Sequence, residues 1–103
     1  QSMRVLKQIL DRGLLGNPVV ASIDMRAIPH WQAYLDDYER LTLLNMSVHH
    51  LDVLRHLFGE VADVYVGTRP DPRRTRNVPL DGICMSTLRF ESGVLASCLD
   101  DVW

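Results

Sequence analysis

Apolar side chains recur at helical spacing in two parts of this 103-residue chain. The first runs from Met3 to Arg12 and is followed by Gly13, which predicts a helix that ends at the glycine. The second runs from Leu43 to Glu60, and its apolar positions are Val48, Leu51, Leu54, Leu57 and Phe58. It predicts an amphipathic helix with Ser47 as its N-cap and Gly59 at its C-terminal end.

Four other stretches have the composition or the period of two that is typical of β-strands: residues 19–25, 61–66, 82–90 and 94–99. The sequence Gly16-Asn17-Pro18 predicts a turn before the first strand. Only three residues separate the last two strands, so they form an antiparallel hairpin in which Phe90 pairs with Val94. Residues 27–38 form a short helix or a loop, and residues 67–79 a loop rich in Pro and Arg.

This order of elements predicts a single α+β domain over residues 1–103. The helices pack on one face of a mostly antiparallel sheet, which makes two layers. In the hairpin, Cys84, Ser86, Leu88 and Phe90 share one face, and Ile83, Met85, Thr87 and Arg89 share the other. Both faces are partly apolar, so the uncovered one favours a partner: another copy, a missing domain, or both. The alternative is a face of mixed polar and apolar side chains that stays exposed to solvent without a partner.

Composition and charge exclude several classes of protein. A net charge of −2 argues against a general nucleic-acid binder, and no apolar run approaches the 18 residues of a membrane span. Neither G-x-G-x-x-G nor G-x-x-x-x-G-K-[ST] occurs, so the chain has no phosphate-binding glycine loop. The chain begins without Met and stops directly after a strand, and we expect it to be a fragment.

The two cysteines, Cys84 and Cys98, are too few for a disulfide scaffold. The hairpin register places Cys84 opposite Asp100 and Cys98 opposite Ser86, which makes the cysteines diagonal neighbours about 7–8 Å apart. That separation exceeds disulfide reach. We therefore expect buried free thiols in a reducing compartment, the cytoplasm, rather than a disulfide.

Candidate chemistry concentrates at the start of the second helix. His49 and Asp52 lie three residues apart and share a face, and Asn45 joins them if the helix begins early. From the residues alone, His49 is an ordinary, partly buried histidine. A metal site of His49, His50, Asp52 and His30 lacks any H-E-x-x-H or cysteine-pair motif, so we expect no metal. The arginines of the later loop clamp an anion or are solvated; they are Arg69, Arg73, Arg74 and Arg76.

The stretch Leu43–Gly59 resembles the signature helix of the Gfo/Idh/MocA oxidoreductases, L-L-D-x-G-x-H-x-x-D-x-x-x-x-L-x-G. The matching residues are Leu43, Leu44, His49, Asp52, Leu57 and Gly59. Asn45 stands where the family usually has Asp, and Ser47 where it often has Gly. Three further segments resemble family motifs in the same order: residues 1–4, residues 13–19, and Asp81 followed by the hairpin residues 90–96.

This resemblance implies a C-terminal domain of the glyceraldehyde-3-phosphate-dehydrogenase-like fold, which binds substrate and mediates oligomer formation. The implied parent is a NAD- or NADP-dependent dehydrogenase that acts on a sugar, polyol or related hydroxyl or carbonyl compound. Its dinucleotide-binding domain precedes this chain, and copies associate through the open sheet face. We expect the fragment alone to be inactive and to bind no cofactor.

The resemblance also implies roles for individual residues. His49 is the catalytic candidate, because a neutral imidazole can take the hydroxyl proton as hydride leaves the carbon. Asn45 is the second, although an amide hydrogen-bonds a hydroxyl without accepting its proton. The substrate-binding candidates are His50, Asp52, Trp31, Arg26 and His30. The alternative to an enzyme part is a standalone, non-catalytic module that dimerises and binds a small ligand.

Overall fold

The computed structural model describes residues 2–27, 34, 37–74 and 78–102. Within them the elements follow the predicted order of two helices and four strands. A π-helical segment, Thr42–Ser47, leads directly into the second helix. The helices are α1 (Ser2–Asp11) and α2 (Val48–Phe58), and the strands are β1 (Val20–Ala27), β2 (Val61–Arg69), β3 (Ile83–Phe90) and β4 (Leu95–Val102).

Both helices end where glycine permits it. Gly13 follows α1 with φ of 67°, and Gly59 follows α2 with φ of 90°, a backbone region that other residues rarely adopt. Ser47 directly precedes α2, as predicted, but it does not cap the helix. Ser47 is itself helical (φ −62°, ψ −30°), and its side chain makes no capping bond. The helical segment begins at Thr42 instead, because a carboxylate from another part of the chain satisfies its first amides, as described below.

The four strands form one sheet in the order β1-β4-β3-β2. The β3–β4 and β2–β3 pairs are antiparallel, and β1 runs parallel to β4. The predicted hairpin is confirmed: Phe90 donates its N–H to the Val94 carbonyl at 2.9 Å, and Cys84 lies opposite Asp100. Strand β2 extends to Arg69, so the start of the predicted 67–79 loop belongs to the strand, where its residues pair with β3.

The core lies between α2 and one face of the sheet, and α1 packs against α2. Its buried members are Leu54, Leu88, Phe90, Val94, Ala96 and Cys98. Phe58 of α2 packs edge-on against Phe90 of β3 with ring centroids 5.6 Å apart. A smaller cluster of Leu41 and Val102 continues the core beneath the π-helical segment. The expected two-layer α+β architecture is thus confirmed, with helices covering one face of the sheet.

The opposite face of the sheet carries no layer formed by the residues that the structure describes. Its side chains alternate with the core residues along each strand, and Tyr65 and Met85 are among the most exposed. A shallow cavity of about 560 Å³ lies on this face. The expected helix or loop at residues 27–38 falls largely outside the described residues. No helix in the described ranges is long and apolar enough to cross a membrane.

Candidate functional site

The outward side of the π-helical segment and α2 carries the candidate catalytic residues. Residues 44, 45, 48, 49 and 52 recur at helical spacing on this side, away from the core. Asn45 is half-buried, and His49 and Asp52 are exposed. Leu44 is 66% exposed and Val48 47% exposed. The structure thus places the imidazole, the amide and the carboxylate on one helical surface that also exposes apolar side chains.

Part of this surface is formed by the π-helical segment Thr42–Ser47. A π-helical turn is wider than an α-helical turn, and such turns occur frequently at functional sites. Asn45 lies inside the segment and His49 one residue after α2 begins, so their relative position depends on where the wide turn gives way to the α-helix. The sequence favoured an α-helix through this stretch and gave no signal for the wider turn.

Asp81 anchors the start of the segment. Its carboxylate accepts the backbone N–H of Leu41 at 2.7 Å and that of Leu43 at 2.8 Å. The Thr42 hydroxyl donates to the Gly82 carbonyl at 3.2 Å beside these bonds. Asp81 and Thr42 are fully buried. The residues before β3 thus fix the position at which the helix carrying Asn45 and His49 begins.

His50 points the other way, towards the sheet. Its Nδ1 and the Asp100 carboxylate form a hydrogen bond of 2.6 Å, and the Cys98 thiol donates to the other carboxylate oxygen at 3.4 Å. Asp100 is only 1% exposed, and the His50 ring is half-buried. Sequence reasoning did not single out Asp100: the hairpin register places it opposite Cys84, but it does not predict the contact with His50.

The other substrate-binding candidates are not brought together with His49 by the described structure. Arg26 lies on the open face of β1, opposite the helices, and pairs with Asp24 at 3.2 Å. His30 and Trp31 fall outside the described residues. The roles assigned to these three residues stay predictions.

One arginine of the later loop is held by two acids. The Arg73 guanidinium bonds the carboxylates of Asp71 and Asp101, and Asp71 also accepts the Arg73 backbone N–H at 2.9 Å. The hydrogen bond from the Arg73 side chain lowers the pKa of Asp71, although burial opposes the shift. The same bond raises the pKa of Arg73. In the described part of this loop, Arg73 therefore stabilises the fold, and Arg76 lies outside that part.

The two cysteines are free and buried, as expected. Burial, followed by the nearby Asp100 charge, raises the pKa of the Cys98 thiol to about 12. Burial also raises the pKa of Cys84, and the Ser47 hydroxyl offsets part of that rise. Ser47 Oγ is buried without a hydrogen-bond partner of normal geometry among the described residues. Neither thiol is therefore an ionised nucleophile at neutral pH.

Solved structures with the same fold are dehydrogenases and oxidoreductases. One, from Agrobacterium radiobacter in complex with NAD+, L-tartaric acid and magnesium, superposes with a TM-score of 0.79 at 20% identity, over 96% of this chain and 29% of that one. A probable dehydrogenase from Thermotoga maritima gives a TM-score of 0.72 at 23% identity, over 96% of this chain and 31% of that one.

A third structure is the WlbA dehydrogenase from Bordetella pertussis in complex with NADH and UDP-GlcNAcA. Its TM-score is 0.71 at 20% identity, over 95% of this chain and 31% of that one. This chain thus spans about a third of the length of the solved proteins it matches. No curated protein sequence matches it significantly.

A family model agrees with the fold and with the helix motif. The model of the GFO/IDH/MocA C-terminal domain matches residues 3–99, nearly the whole chain. It covers α1, the signature helix and the hairpin, which are the segments whose motifs resemble the family. The chain therefore belongs to the GFO/IDH/MocA family, as a C-terminal domain of these oxidoreductases.

Proposed function

We propose that this chain is the substrate-binding and oligomerisation domain of a NAD(P)-dependent oxidoreductase acting on a sugar, polyol or related hydroxyl or carbonyl compound. The observation that supports this most directly is the outward surface of α2. His49 is exposed there, on a helix side that also leaves the apolar side chains of Leu44 and Val48 uncovered. A histidine bordered by apolar surface is what a cleft wall presents when a second domain packs against it.

The dinucleotide is assigned to that second domain. The 103 residues contain no glycine-rich phosphate loop, so this chain alone does not fit NAD or NADP. When bound in the parent, the nicotinamide supplies the hydride acceptor or donor. The partner of this chain is thus a dinucleotide-binding domain that covers the surface around His49. Two of the structurally similar proteins hold NAD+ or NADH together with hydroxylated compounds, which agrees with this division of labour.

His49 acts as the proton acceptor for the substrate hydroxyl, and as the proton donor in the reverse direction. Asn45, four residues earlier, hydrogen-bonds a substrate hydroxyl and orients it; its amide adds no negative charge beside the imidazole. Asp52 lies on the same surface and binds a further hydroxyl or orients His49. His30 and Trp31 are proposed as further substrate contacts, whereas His50 bonds the buried Asp100 and Arg26 lies on the opposite face of the sheet. We place the parent protein in the cytoplasm.

The test uses the complete protein encoded around this chain. Reduction of NAD+ and NADP+ is measured with a panel of sugars, polyols and hydroxy acids, and the best substrate is then used to compare variants. His49→Ala should lower kcat by about 10²–10⁴-fold, the range that a general acid–base residue contributes. His56→Ala is the matched control, because His56 is an exposed histidine two turns along the same helix. Equal activities of the two variants would contradict the role of His49.

The second candidate is a standalone dimerising module that binds a small ligand. The 560 Å³ cavity on the open sheet face favours it, since that cavity is built from this chain alone. Calorimetry of the 103-residue chain with NAD+ and NADP+ helps to separate the two functions. An oxidoreductase part that relies on another domain binds neither cofactor, so micromolar binding would contradict the division of labour proposed above.

A further inference from the structure

We propose that His50, Cys98 and Asp100 form a binding site for a divalent transition-metal ion of the zinc class. The three side chains come from α2 and from the adjoining face of β4. One ligand atom from each, the imidazole nitrogen, the sulfur and a carboxylate oxygen, lies within 4.8 Å of the other two. This inference does not depend on the proposed oxidoreductase function.

The distances among the three side chains, which run from 2.6 Å to at most 4.8 Å, bracket those of a tetrahedral site. His50 Nδ1 lies 2.6 Å from one Asp100 oxygen, and Cys98 Sγ lies 3.4 Å from the other. Zinc bonds of about 2.0–2.3 Å to nitrogen, oxygen and sulfur imply ligand separations of roughly 3.3–3.7 Å. A metal ion therefore requires the nitrogen and oxygen to separate by less than about 1 Å, which side-chain rotations can supply.

The chemistry of the three ligands selects the class of ion. Imidazole and thiolate are borderline or soft ligands that favour zinc and its neighbours, whereas magnesium and calcium favour sites made of oxygen alone. The ion displaces the proton of the Cys98 thiol as the metal–sulfur bond forms, and that proton passes to solvent. Three protein ligands leave one tetrahedral position for water or another small ligand.

The burial of the Asp100 carboxylate favours binding of a cation. Asp100 is a carboxylate with 1% exposure whose side-chain hydrogen bonds, among the described residues, come from one imidazole and one thiol. A buried carboxylate is costly unless a positive group compensates it, and a divalent ion supplies that charge. The half-buried His50 ring leaves a route from solvent to the site.

The ion would link α2 to β4, two elements that lie about 40 residues apart in the sequence. The ion connects the first turn of α2 to the sheet beside the core, and His49 is the next residue along the helix. A bound ion should therefore raise the thermal stability of the chain, because it binds the folded arrangement and not the unfolded chain.

Cobalt(II) is the probe for the test, because it reports thiolate ligation through a charge-transfer band in the near ultraviolet. The 103-residue chain is freed of metal with a chelator, titrated with cobalt, and then competed with zinc. Cys84→Ser is the matched control: Cys84 is also a buried cysteine on the same sheet face, but its sulfur lies outside the three-ligand cluster.

We expect one equivalent of cobalt to produce the charge-transfer band in the parent and in the Cys84→Ser variant. Zinc should abolish the band in both. Cys98→Ser should lack the band, and His50→Gln and Asp100→Asn should each weaken cobalt affinity at least about 10-fold. These two variants keep the thiol, so they still test the site if Cys98→Ser does not fold. The inference is overturned if the parent shows no band, if Cys98→Ser shows an equal one, or if Cys84→Ser loses it.

Discussion

At the scale of single residues, the Asp71–Arg73 pair is the clearest source of pH-dependent stability. Asp71 is fully buried, whereas the guanidinium that compensates it is partly exposed. We expect Asp71→Asn to lower the free energy of unfolding at neutral pH by about 1.5 kcal/mol, the lower end of the range for a hydrogen bond to a charged group.

The pH dependence follows from the direction of the shift. The folded-state pKa of Asp71 is lowered from its ordinary value of 3.8, so the carboxylate stabilises the fold above that value. The stabilisation is lost as pH falls through the lowered pKa. The difference between the parent and Asp71→Asn should therefore be constant near neutral pH and shrink below about pH 4. Urea unfolding at a series of pH values measures it, and a difference that persists unchanged in acid would refute the assignment.

The exposed Asp63–Arg89 pair provides the control for Asp71. Both partners are more than half exposed, and surface ion pairs contribute little. Asp63→Asn should therefore change the free energy of unfolding by no more than about 0.5 kcal/mol at neutral pH.

Residue-scale features were the hardest to predict from sequence. The hairpin positions of both cysteines follow from local periodicity, and the sequence indicated them correctly. The contact between His50 and Asp100 joins residues 50 positions apart. No local pattern encodes it, because it depends on how α2 is placed over β4.

At the scale of elements, the start of the helical segment is set by a residue that is distant in sequence. Helix N-termini leave unpaired amides, and nearby Ser, Thr, Asp or Asn side chains usually satisfy them. Ser47 fitted that preference, yet Asp81 performs the task from 40 residues away at Leu41. The sequence located both ends of α2 correctly, at Ser47 and Gly59, but it missed the π-helical segment before Val48, because the signal that starts that segment is tertiary.

Replacing Asp81 tests this anchoring. Asp81→Ala removes both acceptors of the Leu41 and Leu43 amides and should lower the free energy of unfolding by about 2–3 kcal/mol, more than a single lost cap. Asp81→Asn keeps one side-chain oxygen as acceptor and should cost less. Hydrogen exchange at the amides of Leu41 and Leu43 should accelerate in Asp81→Ala, while exchange at the Gly59 amide, at the far end of α2, should not.

The Gly59 amide, which bonds the Arg55 carbonyl at 2.9 Å, is the internal control for this experiment. Equal acceleration at both ends of the helix would indicate general destabilisation. Unchanged exchange at Leu41 and Leu43 would contradict the anchoring role of Asp81.

At the scale of the whole molecule, the two faces of the sheet differ in burial: one carries the core, and the other is exposed. Alternation along β3 predicted correctly which of its side chains share a face, because successive side chains of a strand point to opposite faces. The parallel pairing of β1 with β4 was not predicted individually, since it joins segments about 75 residues apart. The helix side buries side chains of β3 and β4, and the described chain leaves Tyr65, Met85 and their neighbours on the other face exposed.

The final prediction tests whether copies of the chain associate through this open face. Met85→Glu places a charge in the middle of the face, so burial against a second copy would leave that carboxylate desolvated and near its symmetry mate. The parent chain should sediment as a dimer or larger assembly, and Met85→Glu as a monomer with an unchanged circular dichroism spectrum. Val64→Glu is the control: Val64 is equally exposed, 59% against 59%, but lies on the helix side of the sheet opposite Leu88. If Val64→Glu dissociates the assembly and Met85→Glu does not, copies associate through the helix side of the sheet. A monomeric parent would show that the open face does not join copies of the chain.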